Sequence, residues 1–100
     1  MIFFERSTSF SNWLKLLKDK TGQRRIFARL DAAQDGHFGD CQPVGSGIYE
    51  MRIHYGPGYR VCFTRRGPVF YLLLIGGDKS TQARDIDQAK EMVKNLGMRT

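Results

Sequence analysis

Residues 49–64 alternate between apolar and polar side chains, a period of two that predicts a β-hairpin. The apolar positions are 49, 51, 53 and 55 before the turn, and 59, 61 and 63 after it. Successive side chains of a strand point to opposite faces of its sheet. We therefore expect one apolar face, and an opposite face that carries Arg52, His54 and Arg60.

The turn of this hairpin predicts which residues face each other. Pro57 favours the first corner of a type II turn, and Gly58 tolerates positive φ at the second. If the strands close around residues 56–58, His54 lies opposite Arg60, where a fixed positive charge disfavours the imidazolium form and leaves a neutral base. The alternative is a solvated strand face whose histidine has no function.

Helical periodicity predicts two helices near the N-terminus and one at the C-terminus. Ser7 to Ser9 can cap the first helix, Thr21-Gly22 ends it and caps the second, and Gly36 fits the position after the second helix. Ser80 or Thr81 can cap the third. The apolar stripe of the first two helices comprises Phe10, Trp13, Leu14, Leu17, Ile26 and Leu30. We expect it to pack on the apolar hairpin residues, which are Tyr49, Met51, Ile53, Val61 and Phe63.

The remaining segments predict three further strands. Residues 2–6 form a short first strand, an edge strand surrounds Cys41, and the apolar run 69–75 is a central strand that Gly76-Gly77 ends. The order β-α-α-β-β-β-β-α predicts one α+β domain over residues 1–100. We expect a curved, mainly antiparallel sheet packed against an N-terminal helical hairpin, with a C-terminal helix.

The charge balance points to an anionic partner, because the net charge is +6 and the isoelectric point is about 9.7. Lys79 precedes the third helix and Arg84 lies one turn inside it, which favours anion binding at that corner. Neither cysteine has metal-ligand spacing, so we expect no metal and no cofactor. The N-terminus does not resemble a signal peptide, and the run 69–75 is too short to span a bilayer, so we expect a cytoplasmic protein without membrane contact.

Two motifs in this order, residues 52–61 (RIHYGPGYRV) and residues 76–82 (GGDKSTQ), closely resemble the RelE/ParE superfamily of bacterial toxins. The nearest branch is that of the HigB-like addiction module killer proteins, and the resemblance extends from Phe10 to about Val93. It implies a RelE-like fold and a type II toxin–antitoxin module. The implied partners are a cognate antitoxin with a helix-turn-helix domain (HigA-like) and mRNA on the ribosome, with the free toxin a monomer or weak homodimer.

The resemblance further implies a ribosome-dependent mRNA endoribonuclease (mRNA interferase) that works without a metal, through attack of a ribose 2′-OH on the adjacent phosphate. By position, Arg52, Arg60, Lys79 and Arg84 would bind phosphate, and His54, Arg60 and Lys79 would be catalytic. The C-terminal stretch lacks the tyrosine or histidine that RelE-type members commonly place there. ParE-like relatives inhibit DNA gyrase without cleaving RNA, and a toxin of that kind is the alternative.

Overall fold

The computed structural model describes residues 1–97. Five strands and three helices follow one another along the chain: β1 (Phe3–Arg6), α1 (Thr8–Leu16), α2 (Lys20–Gln34), β2 (Cys41–Gly45), β3 (Ile48–Ile53), β4 (Tyr59–Arg65), β5 (Phe70–Asp78) and, after a short 3₁₀ turn at Lys79–Thr81, α3 (Gln82–Gly97).

Local chemistry explains where the first two helices begin and end. The Ser7 hydroxyl oxygen accepts the backbone N–H of Phe10 at 3.0 Å and caps α1, as predicted. The cap of α2 is Asp19 rather than Thr21-Gly22, because its carboxylate accepts the N–H of Gly22 at 3.0 Å. Gly22 therefore lies in the first turn, where a side chain would collide with the ring of Tyr59. Gly36 follows α2 with φ of +91°, as predicted.

The strands form one mixed sheet in the order β1-β5-β4-β3-β2. The edge strand β1 is parallel to β5, and the remaining neighbours are antiparallel. On one face α1 packs mainly on β5, and α2 contacts β3; α3 covers β4 and β5 on the other face. The sheet therefore has a helical layer on each side.

This arrangement corrects the predicted fold. The elements occur in the predicted order, and three of the four strand pairings are antiparallel, as predicted. The curved sheet around an N-terminal helical hairpin is wrong, and so is the RelE-like fold expected from the resemblance. The strand β1 makes the sheet mixed, α1 and α2 lie on one face over different strands, and α3 covers the other face. Local periodicity identifies helices and strands, whereas the pairing of β1 with β5 depends on contacts between distant parts of the chain.

The predicted packing of the hairpin on the first two helices is largely confirmed. Trp13 and Leu17 are partly buried at the margin of this core, while Tyr49 departs from the prediction and is 42% exposed. The predicted residues that are buried together are Phe10, Leu14, Ile26, Leu30, Met51, Ile53, Val61 and Phe63.

The prediction that Gly76-Gly77 end the strand is wrong. The strand β5 continues through both glycines to Asp78. A side chain at Gly76 would collide with the indole of Trp13, and one at Gly77 would collide with the carboxylate of Asp85. The two glycines thus let α1 and α3 approach opposite faces of the strand closely. Within residues 1–97, no helix combines the length and apolar character required to cross a membrane.

Candidate cationic site at the end of the sheet

The hairpin register differs from the prediction and changes the neighbours of His54. Arg52 pairs with Arg60, and the ladder ends at Ile53 opposite Tyr59, so that residues 54–58 form the loop. The N–H of Gly58 donates to the carbonyl of Tyr55 at 3.0 Å and closes a turn over residues 55–58. The first central residue of this turn is Gly56, which has a positive φ of +57°. The expected pairing of His54 with Arg60 is therefore wrong, because the loop is longer than the three-residue turn assumed.

A buried carboxylate holds the two strand arginines together. Glu50 is 1% exposed, and its Oε1 accepts from Nε of Arg52 at 3.2 Å and from Nη1 of Arg60 at 3.1 Å. The amide of Gln82, at the start of α3, donates to the same oxygen at 2.8 Å. Glu50 and Gln82 were not predicted as site residues. The position of Glu50, two residues before Arg52 in the alternating pattern, indicates that the two side chains share a face of the strand, and this was the available signal.

The two arginines differ in exposure, so they are not equivalent. The side chain of Arg60 is 15% exposed, and its Nε is buried without a hydrogen-bond partner. The side chain of Arg52 is 35% exposed. Glu50 holds the guanidinium of Arg60 in the layer between the sheet and α3, so Arg60, predicted to bind phosphate, is mostly buried. Arg52 is the member of the pair that solvent, and hence a ligand, can reach.

His54 pairs with a carboxylate that the sequence reading missed. Its Nε2 lies 2.6 Å from Oδ2 of Asp40, and its side chain is 74% exposed. The hydrogen bond with His54 is the main cause that lowers the pKa of Asp40. An aspartate so placed fixes the orientation and tautomer of an imidazole, the arrangement that supports a general base.

Backbone contacts attach this pair to the arginine cluster. The N–H of Arg52 donates to the carbonyl of Asp40 at 2.9 Å. The guanidinium of Arg29 bridges α2 to this region, donating to the carbonyls of Arg52 and Phe38. Arg29 thereby holds the segment before β2 against β3. No sequence signal separates Asp40 from other loop aspartates, because its contact with His54 depends on how β2 and β3 pair.

The other predicted cations lie nearby with different surroundings. Lys79 directly follows β5, whose last residue Asp78 pairs with Tyr59, so Lys79 lies at the same end of the sheet as the hairpin loop. The side chain of Asp78 caps this turn by accepting the N–H of Ser80 at 2.8 Å. Arg84 is 75% exposed and instead pairs with Asp85 on its own helix, at 3.7 Å.

A second buried contact fixes the start of β4 beside the loop. The Tyr59 hydroxyl donates to Oδ2 of Asp19 at 2.7 Å. Burial, then this hydrogen bond, raises the pKa of Tyr59 to about 12. Burial and the charge of Glu50 likewise raise the pKa of Cys62 to about 12, so its thiol is not a ready nucleophile. In the part of the chain that the structure describes, no three His, Cys, Asp or Glu side chains cluster closely enough to hold a metal ion.

Fold and site together define a small domain with a five-stranded mixed sheet and a cationic cluster at one end of it. No family model matches the chain. An uncharacterized protein of Haemophilus influenzae is 43% identical over 97 residues, which cover 97% of this chain and 98% of the relative. The chain belongs to the same family as that protein.

Proposed function

We propose that the protein is the toxin of a bacterial type II toxin–antitoxin module and acts in the cytoplasm as a ribosome-dependent mRNA endoribonuclease. The observation that carries the proposal is the exposed His54–Asp40 pair, with Nε2 and Oδ2 2.6 Å apart, beside the half-exposed Arg52. A base next to a fixed cation is what cleavage by a ribose 2′-OH requires without a metal. The resemblance of residues 52–61 and 76–82 to RelE/ParE toxins and the net charge of +6 support the same proposal.

Each side chain has a distinct proposed role. His54 takes the proton of the 2′-OH, whose oxygen attacks the adjacent phosphate, and Asp40 holds the imidazole in position. Arg52 stabilises the negative charge that develops on the phosphate. Lys79, at the same end of the sheet, donates the proton to the leaving 5′-oxygen. Arg60 is a positioning residue in this scheme, because its guanidinium is bound to Glu50 and mostly buried.

The proposal includes a partner that masks this surface. A cognate antitoxin of the HigA-like, helix-turn-helix kind would place acidic side chains over Arg52 and Lys79. Arg84, which is exposed on the first turns of α3, would extend the same positive surface toward RNA or antitoxin. The free toxin would be a monomer or a weak homodimer.

A second candidate is a ParE-like toxin that inhibits DNA gyrase without catalysis. The observation in its favour is the engagement of both arginines by Glu50, since Oε1 already accepts from Arg52 and Arg60. Two arginines that share one carboxylate keep a net charge of only +1, so they bind phosphate less strongly than two free cations. Contact with a protein target requires no proton transfer, so His54 would then be dispensable.

Induction of the protein in a bacterium, followed by mapping of mRNA 5′ ends, distinguishes the two candidates. Cuts in register with codons support the endoribonuclease, whereas a DNA-damage response with intact mRNA supports gyrase inhibition. Growth without either effect would refute both.

Single-turnover cleavage on programmed ribosomes tests the base directly. His54→Gln should lose about 10²- to 10⁴-fold in rate, and Asp40→Asn should lose part of that. His37→Gln is the matched control, because His37 is the other histidine and is exposed outside the site. A His54→Gln rate within a few-fold of the wild type would remove His54 from the chemistry.

A further inference from the structure

An open cavity of about 240 Å³ lies on the α2 face of the sheet, near the start of β3 and the end of β4. It is on the face opposite Glu50 and at the other end of the hairpin from His54, so the proposed cleavage site does not use it. Its walls are mainly aromatic, and the lining residues are Phe38, Cys41, Tyr49, Phe63, Arg65 and Tyr71.

The rings of this cavity form a partly exposed stack. Phe38 and Phe63 lie 5.6 Å apart between centroids, with planes 23° apart. Tyr49 continues the series on Phe63 at 5.8 Å and 25°. Tyr71 closes one side, tilted against Phe38 at 5.5 Å. Tyr49 is 42% exposed at the outer end, so a further flat ring can enter against the series.

The rim of the cavity is positively charged. The guanidinium of Arg65 donates from Nε to the carbonyl of Gly67 at 2.8 Å and from Nη2 to that of Pro68 at 3.0 Å. These bonds hold the charge 6.0 Å from the centre of the Tyr71 ring. No acidic side chain lines the cavity among the described residues. A ligand that fits combines a flat ring with a negative charge.

We propose that this cavity binds one base of a single-stranded RNA, with the neighbouring phosphate at Arg65. Stacking of bases on aromatic side chains beside cationic groups is how proteins bind single strands without reading sequence. The volume of about 240 Å³ is below the range of about 300–1,000 Å³ typical of pockets for drug-sized ligands. It suits a base more than a whole nucleotide. The proposal rests on the proposed function for the choice of RNA as the source of the base, while the cavity itself stands on its geometry.

Binding of short single-stranded RNA to the intact protein tests the proposal without any cleavage assay. The probes are an oligonucleotide and the same oligonucleotide with abasic positions, which keeps the phosphates and removes the rings. The wild-type protein should bind the abasic strand about 5- to 150-fold more weakly, the scale of one stacked base. Tyr49→Leu should weaken binding of the normal strand by a similar factor and leave the abasic strand unchanged. Arg65→Gln should weaken both.

Phe70→Leu is the matched control, because Phe70 is 49% exposed and stacks on Phe3 outside the cavity. It should bind both strands as the wild type does. Tyr49→Phe, which keeps the ring, should also retain binding, and circular dichroism verifies that each variant is folded.

Equal affinity of the wild type for the two strands would overturn the proposal. An aromatic peptide that shifts the NMR signals of Tyr49 and Tyr71 while RNA does not would also overturn it, and would assign the cavity to a protein partner. Failure of the proposed function gives a different result. If mRNA is not cut in cells but base-dependent binding is lost in Tyr49→Leu, the cavity stands and the cleavage proposal fails.

Discussion

Glu50 should stabilise the fold far more through its ion pair with Arg60 than through its ion pair with Arg52. Glu50 is 1% exposed and Arg60 15%, so their 3.1 Å contact lies in a layer that water hardly reaches. Breaking a buried ion pair by removal of one partner costs about 3–5 kcal/mol, because the other charge stays buried. Arg52 is 35% exposed, so water compensates much of the loss when its contact with the buried Glu50 is broken, and we expect this contact to contribute only about 0–1 kcal/mol. We therefore expect Glu50→Gln and Arg60→Met each to lose about 3–5 kcal/mol, and Arg52→Met less than about 1 kcal/mol.

Urea denaturation monitored by the fluorescence of Trp13 measures these differences. A loss of this size is a large part of the roughly 5–15 kcal/mol by which small domains are stable. The double variant Glu50→Gln/Arg60→Met should be more stable than the sum of the single losses indicates, because no buried charge is left without a partner and Arg52 remains in contact with water. Glu91→Gln, at an exposed position of α3, is the control and should change stability little. Equal losses in Arg52→Met and Arg60→Met would refute the reasoning from burial.

Two further predictions concern the packing of α1 and the cap of α2. Trp13→Ala should lose about 3 kcal/mol. Gly76→Ala should destabilise the wild type by about 1–3 kcal/mol but the Trp13→Ala variant much less, because the added methyl group then has space. Urea denaturation followed by circular dichroism measures both, and an equal effect of Gly76→Ala in the two backgrounds would contradict the contact. Hydrogen bonds from the N–H of Gly22, the larger cause, and from the Tyr59 hydroxyl lower the pKa of Asp19 below its ordinary 3.8. Ionised Asp19 therefore stabilises the fold above about pH 4, and this stabilisation is lost as the pH falls through the lowered pKa. Asp19→Asn keeps the cap and should flatten the dependence of stability on pH between about pH 5 and 2, whereas the same change at the exposed Asp31 should not; an unchanged acid profile in Asp19→Asn would show that this contact does not contribute.

The parts of the fold that follow from local chemistry could be predicted from the sequence. The alternation around Met51 and Val61 correctly indicates the two central strands and the face that meets α2. The serine before α1 and the glycine after α2 correctly mark helix ends. These features depend on neighbours within a few residues, and their physical causes are visible in the sequence itself.

The parts that were wrong depend on contacts between distant segments or on a choice between two equally suitable turn residues. The parallel pairing of β1 with β5 has no local signature. The hairpin register depends on whether Gly56 or Gly58 takes the corner, and both tolerate positive φ. Asp40 became a site residue only because β2 pairs with β3, which brings the preceding loop to His54. The loop is two residues longer than predicted, so Arg60 pairs with Arg52 instead of His54, and His54 has a carboxylate neighbour in place of a guanidinium.

Arg52 connects the stabilising and the proposed chemical parts of this site. Its side chain binds the buried Glu50, and its backbone N–H binds the carbonyl of Asp40, the residue that orients His54. The Glu50 contact fixes the position of the Arg52 guanidinium, whose side chain remains 35% exposed. Arg60, buried on the other side of the same carboxylate, holds Glu50 in place without reaching a ligand. The cluster is thus arranged as a support with one accessible cation, and the loss of any buried member should disturb the position of His54 as well as the stability of the sheet.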